Sequence, residues 1–407
     1  MSNYLYLASN TPFSLNAAGN GSPTDKGRTL DTAPDPNVVG VGGSPSFGLD
    51  PSNHMPNTWQ WNLTFEREVA RGSKLELAYV ANRGKNILRY IDANPVPLDQ
   101  RLAYSLDGDN SLHRPAGNYG FINYGKWNAG SNYNALQVLF RSKVKSLDAQ
   151  FAYTWSKSLA DTDITNSGGA NSTSLLLDQT NPRHDYGPTT INRPHVFTAN
   201  LVYNTPLLQG QNAVMRTALG GWEMATILNY TSGPSWTVDT SNGVSNIKGG
   251  ITGTGTSQNN DRPNRLLADC RGHGAVQWWN PAAFTLDNYQ LGTLGNSGVG
   301  SCSGPGLANT DFSLYKNFKA TERVTLQFRF EFFNLFNKTQ FRTDSIDVNI
   351  NTGGFACIAS ELGDPRCANH AVNTIAWDQA TNGNGNFGLV RNDKGPREIQ
   401  YALKINF

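Results

Sequence analysis

One stretch of the chain, from Arg323 to Asn337, constrains the fold more than any other. Its apolar residues occupy alternate positions, with polar or charged residues between them, and they are Val324, Leu326, Phe328, Phe330 and Phe332. A period of two is the pattern of a β-strand with one apolar and one polar face. Such a strand suits a soluble sheet with one wet side, or a membrane barrel with lipid outside and water inside.

The same alternation recurs and predicts eight further strands. Their apolar positions begin at Trp59, Leu75, Leu136, Leu147, Phe197, Trp222, Phe312 and Ile399. The final strand carries Ile399, Tyr401, Leu403, Ile405 and Phe407 on one face. Because short turns separate several of these segments, we expect hairpins of neighbouring antiparallel strands.

Composition narrows the choice of environment. The chain has 407 residues, of which 38% are hydrophobic, and no run approaches the roughly 18 apolar residues of a spanning helix. Membrane residence would therefore have to be through strands, because only helices and closed barrels satisfy their backbone groups in lipid. A net charge of +2 without a Lys/Arg run argues against a nucleic-acid partner.

The lengths of the connections favour a barrel. Short or medium connections near residues 71, 144, 210 and 320 alternate with long polar ones at 83–131, 158–192, 232–310 and 338–395. Bacterial outer-membrane barrels have short periplasmic turns and long extracellular loops, whereas a soluble sandwich has no reason to place every long loop at one end. A soluble, secreted β-rich protein stays open as the alternative.

We therefore predict an all-β fold: an antiparallel up-and-down transmembrane β-barrel, partial, of about 10 strands, with long extracellular loops. Residues 57–407 would form the barrel portion, after a polar, loop-rich segment 1–56 with a candidate strand end at 4–8. The expected location is the bacterial outer membrane. The expected lipid-facing residues are Val324, Leu326, Phe328, Phe330, Phe332, Ile399, Tyr401, Leu403 and Ile405.

Four cysteines, Cys270, Cys302, Cys357 and Cys367, all lie in polar loops. They are disulfide candidates in an oxidising compartment, with three connectivities open and free thiols as the alternative. The first ten residues lack the basic start and apolar core of a signal peptide. If the protein is exported, we expect a mature, truncated or mis-started chain.

Aromatic residues in the loops are candidates for contact with an extracellular ligand. They are Trp236, Trp278, Trp279 and Tyr289. Their rings would stack on a carbohydrate or aromatic group, or would pack the loops onto themselves. We favour self-packing, because Cys270 and Cys302 bracket the two adjacent tryptophans.

Enzyme signatures are missing from the sequence. It contains no Gly-x-Ser-x-Gly elbow, no phosphate-binding Gly-Lys-Ser/Thr loop and no His-Glu-x-x-His. We therefore expect no enzyme, no cofactor and no metal. The acidic turns Asp107–Ser111 and Asp161–Asp163 offer oxygen ligands for calcium, but a solvated turn is the favoured interpretation.

One short motif brings a family resemblance. Asn334, Leu335, Phe336 and Asn337 follow the aromatic strand and resemble the Asn-Leu-Phe-Asp/Asn signature near the end of TonB-dependent outer-membrane receptors. Further segments look like the Oar-like branch, in which a carboxypeptidase-regulatory-like domain precedes the plug and barrel. They are 153–161, 193–195, 220–222 and 401–407.

The resemblance implies uptake of a nutrient or large ligand across the outer membrane. It covers the C-terminal portion of such a receptor, whose barrel has about 22 strands, and the plug and TonB box have no counterpart here. Implied partners are outer-membrane lipid, the barrel assembly machinery reading Phe407, an unknown extracellular ligand, and the TonB complex through the missing plug. The alternative is a self-contained small barrel acting as a passive pore or adhesin.

Overall fold

Nine long strands form one antiparallel sheet in the described part of the chain. The computed structural model describes residues 48–52, 54–117, 120–161, 176–210, 212–241, 244–255, 261–272, 274, 276–319, 321, 323–342, 346–351, 353–378 and 385–407. The candidate strand end at 4–8 lies outside these residues, as does most of the expected segment 1–56.

The strands follow one another in the sheet in the order of the chain, as in an up-and-down barrel. They are β1 (Asn57–Ala70), β2 (Ser73–Asp92), β3 (Asn123–Val144), β4 (Leu147–Ala160), β5 (His195–Asn204), β6 (Trp222–Thr231), β7 (Leu307–Lys319), β8 (Thr325–Phe333) and β9 (Glu398–Asn406). All nine strands read from the alternation are present, and the all-β prediction is confirmed. β1 and β9 are the outer strands of the sheet and do not pair with each other.

The cross-strand register places the apolar positions of all nine strands on one face. Directly opposed residues share a face of a sheet. One row therefore crosses β1 to β6 through Phe65, Leu77, Val138, Tyr153, Phe197 and Tyr230. Another crosses β5 to β9 through Tyr203, Met224, Leu314, Phe330 and Tyr401. We call this the lipid-facing surface.

Small residues fit this surface because large neighbours cover them. Ala199 is fully buried although it belongs to the lipid-facing set. It lies opposite Phe151 on one side and Leu228 on the other, so the large side chains close over it. Aromatic rings also pair across strands, with Phe312 and Phe332 centroids 6.2 Å apart.

The opposite face is polar. A row across β2 to β5 carries Lys74, Arg141, Gln150 and Asn200. In β8 the Arg329 Nε donates to Gln327 Oε1 at 2.7 Å. Lys74 pairs with Glu66 on the same face, which is the face that a barrel turns toward its water-filled interior.

Two strands exceed the expected length. The predicted loop 83–131 is shorter in the structure, because β2 continues to Asp92 and β3 begins at Asn123. A bilayer needs only about 9 to 11 residues per strand, so this hairpin extends beyond the membrane. The extension has no apolar alternation, because both of its faces leave the lipid.

The remaining elements are short. The helices are α1 (Arg101–Asp107), α2 (Asn110–His113) and α3 (Ala213–Leu219), and 3-10 turns lie at Leu98–Gln100, Pro182–Asp185, Pro281–Ala283, Ala359–Glu361 and Pro365–Cys367. Short strands lie at Gly48–Leu49, Gly187–Pro188, Ser235–Trp236, Asp239–Ser241, Asn264–Arg265, Phe284–Thr285, Cys302–Ser303, Asn349–Asn351, Phe355–Cys357 and Thr374–Ala376. No helix within the described residues has the length and apolar character needed to cross a bilayer.

Candidate functional site: the packed loop cap

The main buried core of the described chain lies in the long connections and not in the sheet. We call the described residues of 93–122, 176–194, 232–306 and 334–397 the loop cap. All four connections leave the same end of the sheet, since each joins the end of an even-numbered strand to the start of the next. In an outer-membrane barrel the long loops are extracellular, which places the loop cap outside the cell.

The third and fourth connections share one apolar core. Its largest fully buried side chains include Trp279, Tyr289, Phe284 and Phe387. The Trp279 and Phe387 ring centroids are 5.9 Å apart, and the Phe284 and Phe387 centroids are 5.7 Å apart. Because a buried aromatic side chain removes 150–250 Å² from water, these loops have the means to fold as a compact body.

The candidate ligand-contact aromatics divide into two groups. Trp279 and Tyr289 are 0% and 1% exposed and pack within the apolar core, which leaves no ring surface accessible to a ligand. Trp236 and Trp278 are half-buried against the same core. The indole nitrogens of Trp278 and Trp279 both donate to the Ser303 carbonyl at 2.9 Å, which fixes both rings.

Two disulfides close segments of the loop cap. Cys270 joins Cys302 across 32 residues, and Cys357 joins Cys367 across 10 residues. The pairing is sequential, one of the three connectivities that the sequence left open. Cys302 lies opposite Trp236 in a short antiparallel pair, so the first bridge ties the aromatic core to its flanking strand.

Buried ion pairs join the connections to each other. Arg101 in α1 donates to Asp178 of the second connection at 2.8 Å, and Arg262 of the third connection donates to Asp185 of the second at 2.7 Å. Removing one partner of such a pair leaves a buried charge unpaired, which typically costs about 3–5 kcal/mol. These contacts therefore hold separate loops in one arrangement.

The carboxylates in these pairs are held ionised. Burial opposes the charge of Asp178, but hydrogen bonds from Arg101 and Thr180 lower its pKa below the ordinary value. Burial likewise opposes the charge of Asp185, while His184 and Arg262 lower its pKa.

Two other carboxyl groups of the loop cap have pKa values that are raised instead of lowered. Burial raises the pKa of Asp239 to about 8, and the nearby Asp347 carboxylate adds to the effect. Burial also raises the pKa of Asp261 to about 6, although the Thr252 hydroxyl donates to it at 2.7 Å. Near neutral pH these two groups change charge inside the packed loops.

The acidic turns form local hydrogen bonds and ion pairs. Asp109 accepts from the Ser111 amide at 2.8 Å and caps α2, and Asp107 contacts His113 at 2.9 Å. Asp161 pairs with Arg89 at 3.1 Å, while residue 163 lies outside the described residues. No group of three His, Cys, Asp or Glu residues suited to a metal occurs within the described ranges.

The motif Asn334–Asn337 forms a turn that joins three strands. Asn334 and Asn337 have positive φ angles of 52° and 50°, a conformation that asparagine tolerates better than most residues. The Asn334 amide donates to Asp311 of β7 at 2.9 Å, and the Asn337 side chain accepts from the Arg397 amide before β9 at 2.9 Å. Leu335 donates to the Thr310 carbonyl, and Phe336 is exposed.

The lipid-facing candidates lie at one edge of the sheet. Val324 lies just before β8, the positions from 325 to 332 pair with β7 and β9, and the alternate residues from Leu326 to Phe332 oppose Ile405, Leu403, Tyr401 and Ile399. Phe407 is 99% exposed beyond the last strand. Lys316 shares this surface, but it is 3% exposed and donates to the Gly220 carbonyl, so its charge is shielded from lipid.

Comparisons relate this chain to a known protein family and to a solved structure. A family profile described as "Outer membrane beta barrel domain" matches residues 1–400. Among solved structures, the outer membrane transporter YddB from Escherichia coli is similar with a TM-score of 0.39 and 8% identity, over 76% of this chain and 32% of that one. The chain thus spans about a third of that structure's length, and comparison with curated proteins gives no match. The family match covers nearly the whole chain, and we conclude that the protein belongs to the outer membrane β-barrel domain family and resides in the bacterial outer membrane.

Proposed function

We propose that this chain is the C-terminal barrel portion of a TonB-dependent receptor of the Oar-like branch, serving uptake of a nutrient or another large ligand. The observation that carries the proposal is the loop cap, a packed body at the extracellular end of the nine-stranded sheet, which we call the wall. A passive wall has no need of loops with their own core, disulfides and buried ion pairs. A receptor does need them, because rigid loops bind a ligand at a lower cost in ordering entropy.

The motif turn supports the same assignment. It connects the end of β8 to both neighbouring strands through Asp311 and Arg397. It also begins the fourth connection, where Gln340 exchanges two hydrogen bonds with the backbone of Ala308 in β7. The family signature thus sits where the wall meets the loop cap.

Surface side chains of the loop cap supply the means to contact a ligand. Several large apolar residues are exposed there although a buried core is available: Leu98, Leu112, Ile191, Leu266, Val276 and Leu362. Binding and catalytic residues concentrate on loops held by a rigid scaffold. We place ligand capture on this outer surface and ascribe binding and transport, rather than catalysis, to the chain.

The alternative is a self-contained barrel acting as a passive pore or adhesin. In a sheet of nine antiparallel neighbours the first and last strands run in the same direction, so direct closure would need a parallel seam between β1 and β9. Bacterial single-chain barrels have even numbers of antiparallel strands. The described sheet therefore favours a wall that is completed by further strands.

The test is the mass of the native polypeptide. An antibody against residues 338–395 should detect, in outer-membrane fractions, a species more than about twice the 44.4 kDa of this chain, as a barrel of about 22 strands with a plug requires. Cross-linking of that species to the TonB complex would complete the assignment. A 44.4 kDa species that conducts ions in planar bilayers would overturn it and put the passive pore first.

A further inference from the structure

The connection between β5 and β6 differs from the other short turns because it contains a helix with an apolar side turned to solvent. In α3, Val214 and Leu219 are 77% and 58% exposed, Met215 is 42% exposed, and Leu207 just before the helix is 61% exposed. At 100° per residue, Val214, Ala218, Met215 and Leu219 fall within an arc of about 140°. Arg216 lies outside that arc and is exposed as well.

Specific contacts fix both ends of α3. The Asn212 side chain accepts from the Met215 amide at 2.8 Å and caps its first turn. At the other end Gly220 cannot carry a side chain, since a Cβ would lie 2.8 Å from the Leu207 carbonyl oxygen. Thr205 pairs with Trp222 through both backbone and hydroxyl, which closes the connection at its base.

Two side chains of the lipid-facing surface hold the end of this helix. Trp222 and Lys316 oppose each other in the register of β6 and β7, in the lipid-facing set. The Trp222 indole donates to the Ala218 carbonyl at 2.8 Å, and Lys316 donates to the Gly220 carbonyl. The C-terminal end of α3 therefore lies on the side of the sheet that faces lipid.

We propose that this turn docks into the periplasmic leaflet of the outer membrane, with the apolar side of α3 among the acyl chains and Arg216 at the level of the phospholipid phosphates. Short turns of these barrels lie at the periplasmic side, so the occupant is phospholipid. The apolar side of the helix continues the lipid-facing surface through Trp222. A basic residue beside an apolar helical face is the pattern of interfacial helices.

Lys316 acquires a role in this arrangement. Its ammonium lies 4.8 Å from the centre of the Trp222 ring and satisfies a carbonyl at the helix end. These contacts explain why a lysine lies on an otherwise apolar face: Lys316 links the sheet to the turn between β5 and β6. The inference rests on the barrel family and on the geometry of one turn, and it stands whether or not the receptor proposal holds.

The experiment places a fluorophore on the turn in the full native polypeptide. Val214→Cys is labelled with an environment-sensitive dye without reducing agent, since the four cysteines of this chain are disulfide-bonded. Any free cysteine elsewhere in the polypeptide is first replaced by serine. The protein is reconstituted in vesicles of phosphatidylethanolamine and phosphatidylglycerol whose lipids carry a nitroxide near the top of the acyl chain. Controls are Arg71→Cys, in the turn between β1 and β2, and Arg216→Cys, on the other side of α3.

We expect lipid nitroxide to quench the label at residue 214 about threefold more than at residue 71, with residue 216 between them. Leu219→Cys should reproduce the result for residue 214 and covers the case in which the first variant fails to assemble. Equal quenching at 214 and 71, or stronger quenching of 214 by aqueous iodide than by lipid nitroxide, would overturn the proposal. Loss of iodide access only when periplasmic extract is added would assign the helix to a protein partner and would equally overturn it.

Discussion

The wall and the loop cap remove their apolar side chains from water in opposite ways. The wall places its apolar side chains outward and needs no core of its own, because lipid covers them. The loop cap stands in water and gathers its apolar side chains inward, around Trp279 and Tyr289. The comparison teaches that the direction of the apolar side chains follows the surroundings. They point outward where lipid surrounds the strands and inward where water surrounds the loops.

The largest effect is expected from removing Trp279, which should destabilise the loop cap without destabilising the wall. Trp279→Ala is expected to destabilise the loop cap by about 3–5 kcal/mol, since the ring is fully buried and donates a hydrogen bond. The neighbouring half-buried Trp278→Ala serves as the matched control and should cost less. Protease should cut the loops of the first variant rapidly while the wall keeps its resistance to heat, and loss of both together would contradict the separation.

The disulfides give a second, graded comparison within the loop cap. Loop-closure entropy predicts about 4 kcal/mol from the bridge across 32 residues and about 3 kcal/mol from the bridge across 10 residues. We expect Cys270→Ser with Cys302→Ser to lower the denaturant midpoint of the cap more than Cys357→Ser with Cys367→Ser. Tryptophan fluorescence during urea titration measures the difference, and the reverse order would show that local packing outweighs chain entropy.

The wall is tested by a pair of adjacent substitutions. Phe328→Arg places a charge on the lipid-facing surface and should cost roughly 2–4 kcal/mol near the middle of the bilayer, whereas Gln327→Arg faces the polar side and should be tolerated. Assembly is measured as the folded fraction in outer membranes. Equal yields of the two variants would show that the faces are assigned wrongly.

The smallest expected effect is the pH dependence of the loop cap. Burial raises the pKa of Asp239 to about 8, so the folded state holds a proton that the unfolded state releases at a lower pH. Stability should then fall as pH rises, by about 2 kcal/mol between pH 6 and 8. Asp178 and Asp185 have lowered pKa values and lose their contribution only in acid, below that window.

Asp239→Asn is the variant that isolates this effect. It should be at least as stable as the native protein at pH 8 and should show a smaller difference between the two pH values, because the amide has no proton to lose. Urea titration of both proteins at both pH values makes the comparison, and the histidines cancel because both proteins contain them. An unchanged pH difference would exclude Asp239 as its source.

The difference between the two regions also explains what could be predicted from sequence. Lipid imposes an alternation that can be read directly, and all nine strands of the wall were identified from residues such as Leu326 and Phe328. The extension of β2 beyond the membrane was missed, because its apolar residues, Ile87, Leu88, Tyr90 and Ile91, do not alternate with polar ones. α3 was missed for a similar reason, since seven residues give too short a helical period to recognise.

The loop cap depends on contacts that no local pattern reveals. Arg101 and Asp178 are 77 residues apart, and nothing near either residue marks the other as its partner. The cysteines flanking Trp278 and Trp279 did indicate a folded loop, and this signal led to the interpretation of self-packing. The sequence could not indicate that four loops would share one body.

The most direct test of the account is a scan of β8 in the native membrane. Spin labels at successive positions from Thr325 to Phe332 would be compared for collision with oxygen, which concentrates in lipid, and with a water-soluble nickel complex. The account predicts that oxygen access peaks at positions 326, 328, 330 and 332, and nickel access at the positions between them. Uniform access along the strand, or peaks on the opposite parity, would contradict a wall whose apolar face meets lipid.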